Sequence, residues 1–411
     1  MDERHVVVAG GGAAGFFAAI ACAESDPGKR VLILEKGSQF LSKVRISGGG
    51  RCNVTHACFD PRELSSFYPR GGPALRGPFT TFQPRDTVAW FEERGVPLKT
   101  EPDGRMFPAS DASQSIVNCL LEAAKAAGVE MRLNLGIDHV ARRPERGFEL
   151  TLSDGSTLGC RQLMLATGGC RALAAGALPV SLGHSLEPPV PSLFSFQIAS
   201  SWLKSLAGIS LDCVEIEAPG VRSRQRGALL ITHAGMSGPA ILRLSAWGAR
   251  ELAAVNYTFP LKINWLPGVK PDVIGLELDA RRASHPARLV VNTPYPGLAA
   301  RLWEQLVLNS GIPRETRWAG LSRSAQHQLI QQLSGTELAV VGKSLNKDEF
   351  VTCGGVRLGE VNFKTMESRI CPGLYFGGEL LDLDGLTGGF NFQAAWTTGW
   401  IAGRAMSQPA G

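Results

Sequence analysis

The stretch RHVVVAGGGAAGFFAAIACAE at residues 4–24 restricts the fold more than any other part of the chain. Val6, Val7, Val8 and Ala9 form an unbroken apolar run, as expected of a strand covered on both faces. Gly10, Gly12 and Gly15 follow at G-x-G-x-x-G spacing, and an alanine-rich helical segment opens at Ala13 and Ala14. Each glycine has a mechanical reason: Gly10 permits the tight turn, Gly12 lets a pyrophosphate approach the backbone, and Gly15 lets the helix lie close on the strand. The helix N-terminus offers free N–H groups and partial positive charge to phosphates. A second apolar strand, RVLILEK at residues 30–36, then ends in Glu35 and Lys36. Glu35 lies about 20 residues past the last glycine, where a carboxylate accepts from the ribose hydroxyls and repels a 2′-phosphate. Strand, turn, helix, strand and acid together predict a doubly wound α/β domain that binds a dinucleotide.

The rest of the composition bounds what surrounds that domain. A chain of 411 residues exceeds one compact core, so two or three domains are expected. Its longest apolar run, residues 13–23, is about half of the ~20 residues a membrane span needs. The opening MDERHVVV lacks the features of a secretory leader, so a cytoplasmic location and no membrane partner are expected. Nine cysteines, odd in number and mostly within apolar segments, argue against a disulfide framework, and no His/Cys cluster predicts a metal. The net charge of +5 is mildly basic, and VRSRQRG at residues 221–227 is its sharpest local concentration, expected as a solvated hairpin tip, with contact to a phosphate-rich partner through Arg222, Arg224 and Arg226 as the alternative.

NAD and FAD share the first half-site, and three later stretches separate them. ISGGGRCN at residues 46–53 follows the second strand by a short expected loop and places Gly48, Gly49, Gly50 and Arg51 along the middle of an extended cofactor. CRQLMLATGG at residues 160–169 reads as a strand ending in a small-residue turn at Thr167 and Gly168, preceded by a hairpin with an Asp154-Gly155 turn. Near the C-terminus, residues 372–403 read as strand, acidic turn, the pair Gly388 and Gly389, and a helix. These features fit non-covalent FAD. Between them, residues 191–268 and 336–350 show short runs of period-two apolarity, as in a small β-barrel, and residues 269–335 show helical spacing. The expected order is a FAD domain over 1–190 and 351–411, interrupted by a barrel with a nested helical piece.

Several blocks carry a resemblance: ISGGGRCNVT at 46–55, GRMFPASDAS at 104–113, LATGG at 165–169, THAGMSGPAIL at 232–242, and the long run from 351 to 399. In these the chain resembles the YhiN/BaiN-type flavoproteins, the aminoacetone oxidase family FAD-binding enzymes of the two-dinucleotide-binding-domain class. One departure is CRALAAGALPVSLGH at 170–184, shorter than the serine- and glycine-rich loop of the family. The resemblance implies that Ala14 and Gly15 lie beneath the pyrophosphate and that Glu35 binds the adenosine ribose. It implies that Lys43, Gly49 and Asn53 border the flavin and its linker, and that the main chain of Ile137 meets the adenine. It further implies that Glu379 holds the ribityl hydroxyls and that Gly389, Phe390 and Asn391 open a helix facing the flavin.

For proton transfer the candidates are His233, Cys52 and Cys353, of which the cysteines are expected to be inert buried thiols. His233 stands as the catalytic candidate, against a structural histidine. The expected activity is that of an FAD-dependent oxidoreductase, reduced by NAD(P)H bound transiently and passing a hydride from flavin N5 to an unsaturated acceptor. A small molecule is the expected partner, with RNA as the alternative. The competing readings are an amine oxidase, a reductase of uridine in ribosomal RNA, and a non-enzymatic redox sensor.

Overall fold

A computed structural model describes residues 3–143, 147–170, 176–344 and 351–408. The chain divides into two units, one of residues 1–192 and 347–411, the other of residues 193–346. The first unit is built on a nine-stranded sheet among the described residues. At its centre Glu3–Ala9 pairs in parallel with Val31–Leu34 on one side and Thr157–Leu165 on the other, and Glu130–Arg132 and Leu374–Phe376 extend the parallel set. Val6, Val7 and Val8 are fully buried, as continuous apolar strands in a parallel sheet require. The meander Ile137–Arg142, Phe148–Leu152 and Thr157–Leu165 is antiparallel, its last turn formed at Gly155 with φ of +81°.

Two helices pack against each other with almost no side chain between them. Ala13–Ser25 buries every residue from Ala14 to Ala23, and its partner is the C-terminal helix Phe390–Ser407. A Cβ at Gly399 would overlap the carbonyl of Ala14, and one at Gly403 would overlap that of Ala18. The four-residue spacing keeps both glycines on one helix face.

One element differs from the sequence expectation, and a second carried no clear signal. The link before the triple glycine is helical: Ser42–Gly50 forms a helix entered through Leu41 at φ of +59° and broken at Ser47. The segment Leu186–Ser192, with three prolines, forms a strand that pairs antiparallel with Val351–Val356, irregular between Glu187 and Val190. Proline weakens the strand signal, yet an irregular two-stranded ribbon tolerates it.

The second unit contains a closed six-stranded barrel of Ser195–Ile198, Gly235–Ser237, Gln225–Ile231, Ser210–Glu217, Phe259–Asn264 and Thr336–Ser344. Period-two burial is plain in Phe259–Asn264 and Thr336–Ser344. The helices Pro271–Ser284, Ala300–Asn309 and Arg323–Gly335 share the barrel's hydrophobic cluster, with Leu302, Trp303 and Leu329 beside Val214, Ile216 and Leu261. A further helix, Pro239–Trp247, joins the same cluster through Ile241 and Leu244.

Candidate functional site

The glycine turn is built tightly on its inner side and openly on its outer side. Gly10 takes φ of +109°, and a Cβ there would collide with the carbonyl of Ala166, just past the neighbouring strand Thr157–Leu165. A Cβ on Gly15 would meet Gly10 O, so the first helical turn lies directly on the glycine loop. Gly12, by contrast, faces open space. It precedes Ala13, and no side chain caps the helix Ala13–Ser25. The side chain of Ala14 is buried and would contact a Cβ on Gly377 or Gly378.

Glu35 lies just past the strand Val31–Leu34 and its carboxylate is held from two sides. Oε2 accepts from Gly11 N–H at 2.8 Å and Oε1 from Gly37 N–H at 2.7 Å. Each oxygen has two lone pairs, so each retains an acceptor site after these bonds. Leu135 N–H donates to Glu35 O, and a Cβ on Gly136 would touch the side chain of Lys36. Ile137 opens the next strand, so residues 135–137 run beside Glu35 and Lys36.

The triple glycine forms a short left-handed stretch, with φ of +59°, +68° and +84° at Gly48, Gly49 and Gly50. No space is restricted at Gly49 and Gly50, so their need for glycine is conformational. At Gly48 a Cβ would also press on Phe107 and Asn53. Arg51 turns away into an acidic group: Nη1 bonds Glu101 at 2.7 Å, and the guanidinium lies 4.0 Å over the Phe107 ring. Lys43, on the preceding helix, is ion-paired with Glu379 Oε2. A Cβ on Gly169, in the turn after Thr167 and Gly168, would come within 3.5 Å of the same carboxylate oxygen. Lys43 and the turn at Gly169, distant in sequence, thus meet at Glu379.

The C-terminal helix is fixed at its N-terminus by contacts that local sequence patterns do not reveal. With the Asn53 amide oriented to satisfy both ends, its oxygen accepts from Gly389 N–H at 3.0 Å and its nitrogen donates to Thr55 O at 3.1 Å. Asn391 exchanges two hydrogen bonds with Gly385, at 2.8 and 2.9 Å, closing the acidic turn. Phe390, Phe67 and His56 form one mutual aromatic cluster, and Tyr68 Oη donates to the Phe390 carbonyl at 2.6 Å. Gly388 and Gly389 take φ of +127° and +92°, and no side chain caps the helix that follows. Deeper in, Gln393 Oε1 accepts from Thr55 at 2.6 Å and Thr87 at 2.9 Å, all three buried. Asp384 is fully buried, gripped by Arg70 Nε at 2.5 Å and by Ser192 Oγ at 2.7 Å. Burial pushes its carboxyl up, and Arg70 and Ser192 oppose that shift.

The proton-transfer candidates differ in character. Cys52 is buried at φ of +62°, and burial pushes its thiol up to about 12, so it is a protonated packing group at neutral pH. Cys353 is buried within Val351–Val356. His233 lies exposed in the turn between two barrel strands, in the second unit. Of the segment 170–184, residues 171–175 lie outside the described residues. None of the nine cysteines is in a disulfide. Among the described residues no acid, histidine and cysteine cluster could hold a metal, and no helix is long and apolar enough to cross a membrane.

An open Gly12, an uncapped helix start, Glu35 with spare lone pairs, a left-handed glycine run and a second uncapped helix start all lie in the first unit, a set that fits FAD. The model of the HI0933-like protein Rossmann domain matches residues 4–405. The chain belongs to the HI0933-like family. It is 32% identical to the ribosomal RNA dihydrouridine synthase of Escherichia coli, across 99% of this chain and 98% of that one. It is 28% identical to the 3-dehydro-bile acid delta(4,6)-reductase of Clostridium scindens, across 98% of this chain and 99% of the relative. Among solved structures, the 3-ketosteroid delta1-dehydrogenase of Sterolibacterium denitrificans shares the fold, with a TM-score of 0.54 at 12% identity over 99% of this chain and all of that one. This HI0933-like chain is an FAD-dependent oxidoreductase.

Proposed function

We propose that the chain is a reductase of a C=C bond conjugated to a carbonyl, with uridine in ribosomal RNA as the acceptor and NAD(P)H as the donor. The observation that carries this reading is the set of FAD-binding features gathered in one unit, with uncapped helix starts at Ala13 and Phe390. The names of two relatives support the acceptor class. Dihydrouridine formation saturates the C5=C6 bond next to the uracil carbonyl, and a delta(4,6)-reductase acts on a C=C bond of the same kind in a keto acid.

When bound, FAD supplies the two-electron step, taking a hydride equivalent from reduced nicotinamide and delivering it to the carbon β to the acceptor carbonyl. The chain's own residues do the rest. Gly12 and the N-terminus of Ala13–Ser25 receive the pyrophosphate, and Glu35 accepts from the adenosine ribose with its remaining lone pairs. Glu379 accepts from the ribityl hydroxyls, and Lys43 neutralises its charge. The N–H groups opening the helix Phe390–Ser407 favour negative charge at the pyrimidine edge. His233 is assigned the proton that completes saturation at the α-carbon. The test is anaerobic. Protein reduced with NADH or NADPH is mixed with protein-free ribosomal RNA, and the nucleosides are analysed by mass spectrometry. A uridine gaining two hydrogens, with return of the oxidised flavin spectrum, supports the reading. Reoxidation by a 4,6-unsaturated keto acid but not by RNA would move the acceptor to small molecules. Bleaching by a primary amine but not by nicotinamide would make the protein an oxidase.

A further inference from the structure

The net charge of the chain is +5, but it is not shared between the units. Residues 193–346 carry sixteen Lys and Arg against ten Asp and Glu, so the whole excess lies in the barrel-containing unit and the flavin unit is slightly acidic. Within the basic unit the Arg-rich hairpin VRSRQRG has its central arginine, Arg224, ion-paired. Arg224 bonds Glu217 at 2.6 Å and Glu215 at 3.5 Å, Lys262 adds a second cation to Glu217, and Arg226 is spent on Pro267 O and Cys213 Sγ.

The helical piece is different. Residues 281–289 and 314–323 contain six arginines and one acid, Glu315. The fold brings the two segments together: Leu289 and Arg317 form an antiparallel bridge, Trp318 N–H donates to Arg288 O, and Arg317 Nη1 donates to Ala287 O. Arg282 ties the same corner to the start of the last helix, donating to Leu321 O at 2.7 Å and Gln326 Oε1 at 2.8 Å. Arg281, Arg282 and Arg314 have carboxylate partners in Glu277, Asp279 and Glu304. Arg288, Arg317 and Arg323 are exposed, and among the described residues no carboxylate pairs with them.

We propose that this corner, centred on Arg288, Arg317 and Arg323, is the surface that docks the phosphate backbone of RNA, and that the VRSRQRG hairpin is not. The proposal rests on the reading of ribosomal RNA as acceptor. Unpaired guanidiniums on a rigid, hydrogen-bonded bridge can release counterions from a polyanion at little ordering cost, whereas Arg224 would first have to leave two carboxylates.

The test uses full-length, flavin-loaded protein and protein-free ribosomal RNA, titrated over a range of KCl concentrations. Two triple variants are compared with the unchanged chain: Arg288→Gln, Arg317→Gln and Arg323→Gln together, and Arg222→Gln, Arg224→Gln and Arg226→Gln together. The first should weaken binding on the order of 10- to 100-fold at about 0.1 M salt and reduce the log–log salt slope by about 2, at ≈ 0.7 per lost phosphate contact. The second should weaken binding by no more than about threefold, because Arg224 is already ion-paired and Arg226 is held by Pro267 O and Cys213 Sγ, which leaves Arg222 alone to be lost. Nicotinamide-driven flavin bleaching should be the same in all three. If the first triple proves unstable, the single surface changes Arg288→Glu and Arg323→Glu replace it. Unaltered affinity and slope in a folded helical-corner variant would overturn the proposal while leaving the acceptor reading intact. No RNA binding by the unchanged chain would overturn both.

Discussion

Glu35 holds the fold at two points and keeps acceptor capacity for the ribose role proposed for it. Its two oxygens pin the glycine turn through Gly11 and the following loop through Gly37, and the lone pairs left over suit a ribose. Replacing it with Ala removes a charge-assisted bond of roughly 1.5–3 kcal/mol, so FAD should bind about ten- to hundredfold more weakly by fluorescence titration. An unchanged dissociation constant would put the ribose elsewhere. The position of Glu35 just past its strand was legible because strand end and spacing after the glycines are local signals. The bond from Asn53 to Gly389 was not, since nothing in either neighbourhood names a partner so distant in sequence. His184 was equally hidden. It is buried, bonded to Pro179 O and Ser368 Oγ, and burial lowers its pKa below 6.5, opposed by Pro179 O and Glu360. The unfolded chain therefore binds a proton that the folded chain resists. This contribution to stability is complete above the unfolded value of 6.5 and is lost as pH falls toward the folded one. The urea midpoint should drop between about pH 7.5 and about pH 5, and His184→Gln should shrink that drop. An equal drop in both proteins would assign the acid sensitivity to other groups.

At the level of elements, the pairing of the first and last helices joins the two ends of the chain into one cofactor domain. Gly403 meets the backbone of Ala18, which cannot move aside like a side-chain tip. Gly403→Ala should therefore cost about 1–3 kcal/mol, against Gly77→Ala, which adds a methyl to an exposed helix position with nothing within 4 Å. The Gly77 change should stabilise by about 0.5–1 kcal/mol through helix propensity. Opposite shifts of the thermal midpoint are expected, and a neutral Gly403 variant would mean that the helices separate easily. Both helices could be read from composition and flanking glycines. Their contact could not, because Gly399 and Gly403 look like weak helix positions until the partner backbone is present. The helix in Ser42–Gly50 was obscured for a related reason: glycines argue against helix, and this one breaks at Ser47. The helix Pro239–Trp247 was masked by the alternation of its barrel neighbours.

The whole molecule is a cofactor unit interrupted by an insert, and the ribbon at the interruption indicates how it can be divided. Ser192 and Val351 are the last paired residues of the antiparallel ladder Leu186–Ser192 with Val351–Val356. The ends of the insert therefore leave the first unit from directly opposed positions, a separation that a two-residue Asn-Gly turn spans in ordinary hairpins. Ser192 is further anchored by its hydroxyl on Asp384, which Arg70 also grips, so the ribbon is secured inside the first unit. The apolar cluster of residues 194–340 belongs to the second unit and leaves with it whole. Replacing residues 193–350 by Asn-Gly should thus give a folded chain that retains FAD, because the groups assigned to the cofactor, from Gly10 to Asn391, all lie outside the deleted segment. The same chain should lose affinity for ribosomal RNA, since the arginines assigned to docking and His233 leave with the insert. Circular dichroism, the flavin absorbance spectrum after gel filtration and the RNA titration test the three parts separately. A folded chain that releases its flavin would show that the insert contributes to cofactor binding, and a flavin-loaded chain that still binds RNA with the original salt slope would move the docking surface to the first unit.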